Sequence, residues 1–175
     1  NMMIARGIDL SRCEIDHTSG STGMPLRIPY DQKSLDYARA LVVYPLHECG
    51  CRWRDEMVRV SARRPREHDW RSKRKQVYMQ ELDSRAIIKK LQQMNPDVII
   101  TYPSVLTTLA MEIGNGGISG VKPRLIFTMG ETLTQHCRDL VRSAFGIEVH
   151  DTYGAAEFNR LAFECNEHCL LYTSP

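Results

Sequence analysis

Thr18-Ser19-Gly20-Ser21-Thr22-Gly23 is an unbroken run of six small or hydroxyl-bearing residues. Glycines let a backbone wrap closely around an anion with its N–H groups turned inward, and serine and threonine add further donors. The run suits a polyphosphate better than a passive linker. It is not the common nucleotide loop, because Met24 and Pro25 follow Gly23 where Lys-Ser/Thr would stand. A second stretch, Asp151 to Phe158 ("DTYGAAEF"), offers an aromatic face for a base at Tyr153, close backbone approach at Gly154 and a carboxylate for Mg2+ at Glu157. A third, "MGET" from Met129 to Thr132, follows an apolar strand-like run. Each has an ordinary structural reading, with Tyr153 as core filler and Glu157 as a residue that starts a helix. Near the end, "FECNEHC" spaces Cys165, His168 and Cys169 as a tight candidate Zn2+ cluster, but neither Cys137 nor His150 is identifiable as a fourth ligand.

The elements that would position these residues alternate, which predicts an α/β layered sheet with helices on both faces. Short strands are expected at Cys13–Asp16 and Leu26–Ile28, around the glycine run. A helix follows over Ser34–Leu46, with Leu35, Ala38, Leu41 and Val42 on one face. Met57–Val60 is strand-like. Asp83 or Ser84 caps a helix that buries Ile87, Ile88, Leu91 and Met94 and stops at Pro96. Val98-Ile99-Ile100 reads as a strand buried on both faces. Pro103 opens the next helix and Gly114 ends it. Arg124–Thr128 is a strand, Thr134 caps a helix closed by Gly146, and Ile147–His150 is the last clear strand. In open α/β sheets ligands bind beyond the carboxyl ends of the strands. "TYPS", "MGET" and "DTYGAAEF" all fall there.

Bulk properties narrow the class. The 175 residues are 42% hydrophobic and 25% charged, with net charge +2, as in an ordinary globular domain. No apolar run nears the roughly 18 residues of a membrane span, and the opening residues show no charged-then-apolar leader. The six cysteines lack framework spacing, so a reduced, cytoplasmic setting is expected, with no membrane partner. From Ser61 to Lys75 the chain carries Arg63, Arg64, Arg66, Arg71, Lys73, Arg74 and Lys75 against Glu67 and Asp69. Basic runs are usually solvated surface, and Trp70 alone is thin support for stacking on nucleic acid, so a nucleic-acid partner is not expected.

Taken in order, the motifs resemble the acyl-adenylate-forming superfamily, most closely its phenylacetate–CoA ligase-like and capsular-polysaccharide-synthesis branch. Thr18 to Pro25 matches the family's glycine loop, Tyr153 to Glu157 its Tyr-Gly-x-Thr-Glu motif, and Gly130-Glu131 its adenine-flanking turn. "NPDVIITYPSVLTTLA", Asn95 to Ala110, looks like the segment beside that branch's acyl pocket. The resemblance implies a partial large N-terminal domain of an AMP-binding ligase over residues 1–168. It implies ATP, Mg2+ and CoA acting on a small-molecule carboxylic acid: acyl-AMP forms with release of pyrophosphate, and a thiol then takes the acyl group. By the same resemblance, Thr18, Ser19, Gly20, Ser21, Thr22 and Gly23 cradle pyrophosphate, with Thr22 and Glu157 as the catalytic residues. Tyr153 stacks on adenine, Asp151 meets its amino edge, and Thr152, Gly154, Gly130 and Glu131 line the nucleotide. Tyr102 and Pro103 border the acyl group, and Glu157 holds Mg2+.

The chain departs from the family pattern at Met24, where a Lys or Arg is usual, and at Ala156, where a hydroxyl usually precedes the glutamate. A C-terminal small domain with its catalytic lysine has no counterpart in this sequence. Residues 169–175, "CLLYTSP", back-translate to a sequence resembling the end of a widely used sequencing-transposase adapter, so this tail is expected to be artefact. Alternatives within reach of the same residues are adenylate transfer to an acceptor other than CoA, a non-catalytic nucleotide-binding module, and an RNA-binding protein using the basic segment.

Overall fold

A computed structural model of the chain describes residues 7–17, 26–61, 75–78, 83–115 and 120–172. The glycine run and most of the basic segment lie outside these residues. Two short strands, β1 (Glu14–His17) and β2 (Arg27–Tyr30), pair antiparallel as a separate hairpin. Among the described residues the main sheet has seven strands. Its parallel part contains β3 (Met57–Ser61), β4 (Lys75–Tyr78), β5 (Val98–Thr101), β6 (Leu125–Met129) and the start of β7 (Val149–Ala155). β8 (Asn159–Glu164) and β9 (Leu170–Tyr172) then add antiparallel to β7, giving the order β4-β3-β5-β6-β7-β8-β9. β9 falls within the tail expected to be artefact.

Strand alternation explains the layers. Ile99 and Ile126 point to one face, where they meet Ile88 and Leu91 of α2 (Ser84–Met94), Leu106 and Leu109 of α3 (Pro103–Gly114), and Val141 of α4 (Gln135–Phe145). Val98, Ile100, Leu125 and Phe127 point to the other face, against Leu46 and Cys49 at the end of α1 (Gln32–Glu48). All four residues of β5 are buried, which is why Val98, Ile99 and Ile100 form a continuous apolar run rather than an alternating one. Helices therefore cover both faces, as the sequence predicts.

Local chemistry sets most helix ends. Asp83 caps α2 by accepting from the Ala86 amide at 2.7 Å, and Thr134 caps α4 by accepting from Cys137 at 3.2 Å. Gly146 closes α4 with φ of 71°, in the left-handed region that glycine tolerates. α2 ends one residue before Pro96, on Asn95 with φ of 43°. Among the described residues no helix is long and apolar enough to cross a membrane.

Candidate nucleotide site

The carboxyl ends of β5 and β6 lie beside the middle of β7, because Thr101 pairs with Thr128 and Thr128 with Asp151. Tyr102, Gly130 and the residues from Asp151 to Gly154 are therefore brought to one rim. Gly130 has φ of 76°, and a Cβ built on it would sit 3.1 Å from Cε1 of Tyr102. The Tyr102 ring thus packs over the β6 turn, and any side chain at position 130 would push it away. Pro103 is buried as the first residue of α3.

Glu131 has a specific task here. Tyr102 gives α3 no side-chain cap. The Glu131 carboxylate fills that role across 27 positions of chain, accepting from the Ser104 amide and the Ser104 hydroxyl, both at 2.9 Å. A carboxylate at a helix N-terminus meets both the free N–H groups and the positive end of the helix dipole. With one bond to each oxygen, Glu131 sets the rim's shape by joining the β6 turn to α3. Any nucleotide contact it makes must share a carboxylate already engaged.

Asp151 is held from two sides. The Thr128 hydroxyl donates to its Oδ1 at 2.7 Å, and its own amide donates to Oε2 of Glu164 at 3.0 Å. Burial holds the Asp151 carboxyl above the ordinary carboxylate range, against the pull of the Thr128 hydroxyl and the Thr152 amide. Glu164 is itself fixed by Arg138 of α4, at 2.5 Å, while the same guanidinium donates to the Val149 carbonyl at 2.9 Å. Burial opposes ionisation of Glu164, but the Arg138 bond and the Asp151 amide outweigh it and keep its carboxyl below the usual range. Thr152 is buried, and its hydroxyl donates to the Thr128 carbonyl at 2.6 Å. Its side chain is therefore spent on the β6–β7 pair, leaving its backbone as the part that could face a ligand.

Tyr153 is exposed, 61% of its surface free, so it is not core filler. Its ring is available for stacking on a base. Gly154 does allow a close backbone approach, but the partner is its own hairpin: an added Cβ would lie 1.9 Å from the Asn159 carbonyl oxygen. Glu157 starts no helix. It sits exposed at the tip of the turn between β7 and β8, beside exposed Phe158. The Tyr30 hydroxyl donates to the Ala156 carbonyl, which ties the end of β2 to this turn. Arg27, the end of β2 nearer the glycine run, is roughly 10 Å along the strand from Tyr30 at the usual strand rise.

Thr18, Ser19, Gly20, Ser21, Thr22 and Gly23 lie outside the described residues, as does Met24, so only the strands flanking them can be placed. Cys165 and His168 belong to a tight turn in which the His168 amide donates to the Cys165 carbonyl at 3.0 Å. Among the described residues no three His, Cys, Asp or Glu side chains gather as a metal site, so Cys165 and His168 gain no third ligand. His168 instead stacks on His150, with ring centroids 5.3 Å apart. Sequence reasoning missed Tyr30, Thr128, Arg138 and Glu164. Only Thr128, a hydroxyl closing an apolar strand, gave a local hint.

The fold has solved counterparts. The chain matches VinN in complex with L-aspartate with a TM-score of 0.67 at 19% identity, over 93% of this chain and 42% of that one. It matches an open conformation of 2-hydroxyisobutyryl-CoA ligase in complex with 2-HIB-AMP and CoA with a TM-score of 0.72 at 18% identity, over 92% and 41%. ATP-bound MatB from Rhodopseudomonas palustris gives 0.62 at 15% identity, over 90% and 32%. Neither a family model nor a curated protein matches the sequence. At these identities the likeness shows the fold alone: an α/β sheet shared with these structures over most of this chain. The chain spans about two fifths of the length of the first two of these structures.

Proposed function

We propose that this chain forms the nucleotide-gripping part of a ligase of the phenylacetate–CoA ligase-like branch, which activates a carboxylic acid with ATP and passes the acyl group to CoA. The observation that carries the reading is the single rim on which Tyr102, Gly130, Asp151 and Tyr153 meet, with the strand leaving the glycine run tied to the Glu157 turn. In the first step a carboxylate oxygen attacks the α-phosphorus of ATP, and pyrophosphate leaves with the electrons of the broken P–O bond. In the second, a thiol sulfur attacks the acyl carbon and AMP leaves. The attacking carboxylate needs no base, only placement.

Within this reading Tyr153 offers its exposed face to adenine, and Asp151, held by Thr128, accepts from the purine's amino edge. Tyr102 borders the acid. The glycine run, Thr18 to Gly23 with Thr22 foremost, donates to the departing pyrophosphate, whose charge must be stabilised as it forms. Glu157 fits Mg2+, because an exposed carboxylate is the hard oxygen donor that ion takes alongside substrate phosphates. When bound, Mg2+ supplies neutralising charge at the phosphate oxygens. The Ala156 side chain adds no donor to this set, which is what favours the second reading, a nucleotide-binding module without catalysis.

Titration of MgATP into the chain tests the first half of the proposal. Binding that weakens about tenfold or more in Tyr153→Ala supports it, in line with a base-stacking contribution of ~1–3 kcal/mol. Pyrophosphate release by a protein carrying these residues together with a lysine-bearing C-terminal domain tests the second. Glu157→Gln there should keep the fold and lose most of the release. Tight MgATP binding with no pyrophosphate release for any acid would leave only the binding module.

A further inference from the structure

Two cysteines far apart in the sequence meet where α1 ends beside β8. The bonds between helix and strand run in order along both. Asn159 Nδ2 donates to the Ala38 carbonyl and an Arg160 guanidinium nitrogen to the Val42 carbonyl, each at 3.2 Å. The last bonds fall at the end of the helix. The thiol of Cys49, the residue after α1, donates to the Glu164 carbonyl at 3.3 Å, and Asn166 Nδ2 donates to the Glu48 carbonyl at 3.5 Å. Cys165 is thus bracketed, since the residues on both sides of it bond the end of α1. Strand alternation adds a direction. Phe163 packs in the cluster that holds Cys49, while Glu164 turns the other way to meet Arg138 of α4. The next side chain, Cys165, therefore returns toward Cys49.

Both are free thiols, Cys49 buried and Cys165 half-buried. We propose that Cys49 and Cys165 are a modification site, forming a reversible disulfide that fastens the end of α1 to the end of β8 when a peroxide oxidises them. Access divides the work between them. Cys165 is the thiol that hydrogen peroxide reaches; its sulfur attacks the O–O bond, one water leaves and a sulfenic acid remains. Cys49 is a poor starting point. Burial foremost, with Cys165 next, pushes its thiol up to about 11, so it stays protonated near neutral pH. Its part is to resolve the sulfenic acid. The Cys49 sulfur bonds the Cys165 sulfur, its proton goes to the departing hydroxyl, and a second water leaves. Two thiols and one peroxide thus give one disulfide and two waters, and a dithiol such as dithiothreitol restores both thiols by exchange. The site is independent of the proposed nucleotide chemistry.

The test uses the unaltered chain and hydrogen peroxide. Peptide mapping without reductant should join the Cys49 peptide to the Cys165 peptide, with two thiol hydrogens lost from the intact mass and regained on adding dithiothreitol. The bridge closes a loop one position longer than the 115 that separate Cys49 from Glu164. The oxidised chain should therefore melt roughly 5 °C or more above the reduced one. Cys49→Ser should stop the reaction at a sulfenic acid on Cys165, which dimedone captures, whereas Cys165→Ser should leave Cys49 untouched. The rival partner is exposed Cys169, whose carbonyl already accepts from the Cys165 amide at 3.0 Å. A Cys165–Cys169 bridge in place of the Cys49–Cys165 one overturns the proposal. So does a map of the unaltered chain without the Cys49–Cys165 pair, or a Tm that oxidation does not raise.

Discussion

Replacing Glu164 by alanine is the sharpest probe of how the rim is held. Its side chain is 13% exposed and that of its partner Arg138 18%, so the pair is largely withdrawn from water. The substitution removes a charge-assisted bond to Arg138 and the acceptor of the Asp151 amide. A charged hydrogen bond contributes about 1.5–3 kcal/mol, and breaking a buried pair costs about 3–5 kcal/mol because the remaining charge is stranded. Arg138 keeps its bond to the Val149 carbonyl and some contact with water, which argues for the lower end, about 3 kcal/mol. For a chain of this size that is a fall in Tm of roughly 6–12 °C. Glu164→Gln keeps an oxygen for the Asp151 amide and loses only the charge, so it should cost less, about 1–2 kcal/mol. Circular dichroism melts of both variants, with Arg138→Met and the double substitution, complete the cycle. A loss below about 1 kcal/mol in Glu164→Ala, or simple additivity with Arg138→Met, would show that the pair does not hold β7 to α4.

Gly154→Ala should cost about 3 kcal/mol or more, since the new methyl meets the Asn159 carbonyl and the hairpin must open; urea unfolding that detects no change would contradict the close approach. Burial, with His168 beside it, keeps the His150 imidazole below its usual value, and no described residue bonds its Nδ1. The folded state therefore prefers the neutral ring. That contribution is whole above the unfolded value near 6.5 and is lost as pH falls below it toward the folded value. Tm should drop between about pH 7 and 5, and His150→Gln should flatten that drop. Burial foremost, with Cys165 and Glu48 nearby, pushes the Cys49 thiol up to about 11. At pH 8 an alkylating reagent should label exposed Cys169 and spare Cys49 until the chain is denatured, and early labelling of Cys49 would refute its burial.

Where local chemistry decides, the sequence is legible. Asp83, Thr134 and Gly146 cap helices for reasons contained within three or four residues. The run from Val98 to Ile100 declares a strand buried on both faces. The strand-end rule then places Tyr102, Gly130 and Asp151 on one rim without any coordinates. What the sequence hides is decided across the chain. β8 was not foreseen, because buried Arg160 interrupts its pattern, and the Val42 carbonyl that satisfies it is 118 positions away. Glu131 reads as a ligand-facing carboxylate, yet it serves a helix whose own preceding residue, Tyr102, cannot cap it. β4 adjoins the basic segment and pairs with β3, a partner that lies beyond that segment. Tyr153, by contrast, shows its exposed ring only in the fold, since an aromatic within a strand sequence is usually buried.

The bonds that join the β2–α1 segment to the β7–β8 turn and to β8 set an order of events. From β5 to β8 each strand pairs with the next one made, and its helices pack nearby, so these contacts close short loops and can form early. The bonds of Tyr30, Ala38 and Val42 close loops of 126, 121 and 118 positions, whose entropy is lost all at once. On a ribosome the β2–α1 segment emerges before β8, and its bonds from Ala38 and Val42 wait until Asn159 and Arg160 are synthesised. At about 5–20 residues per second that wait is on the order of ten seconds. Until then the segment from β2 into α1 lacks the bonds that fix it to β8 and stays open to chaperones and proteases. Slowing translation between Glu48 and Asn159 should lower the yield of folded protein, and slowing it after Arg160 should not.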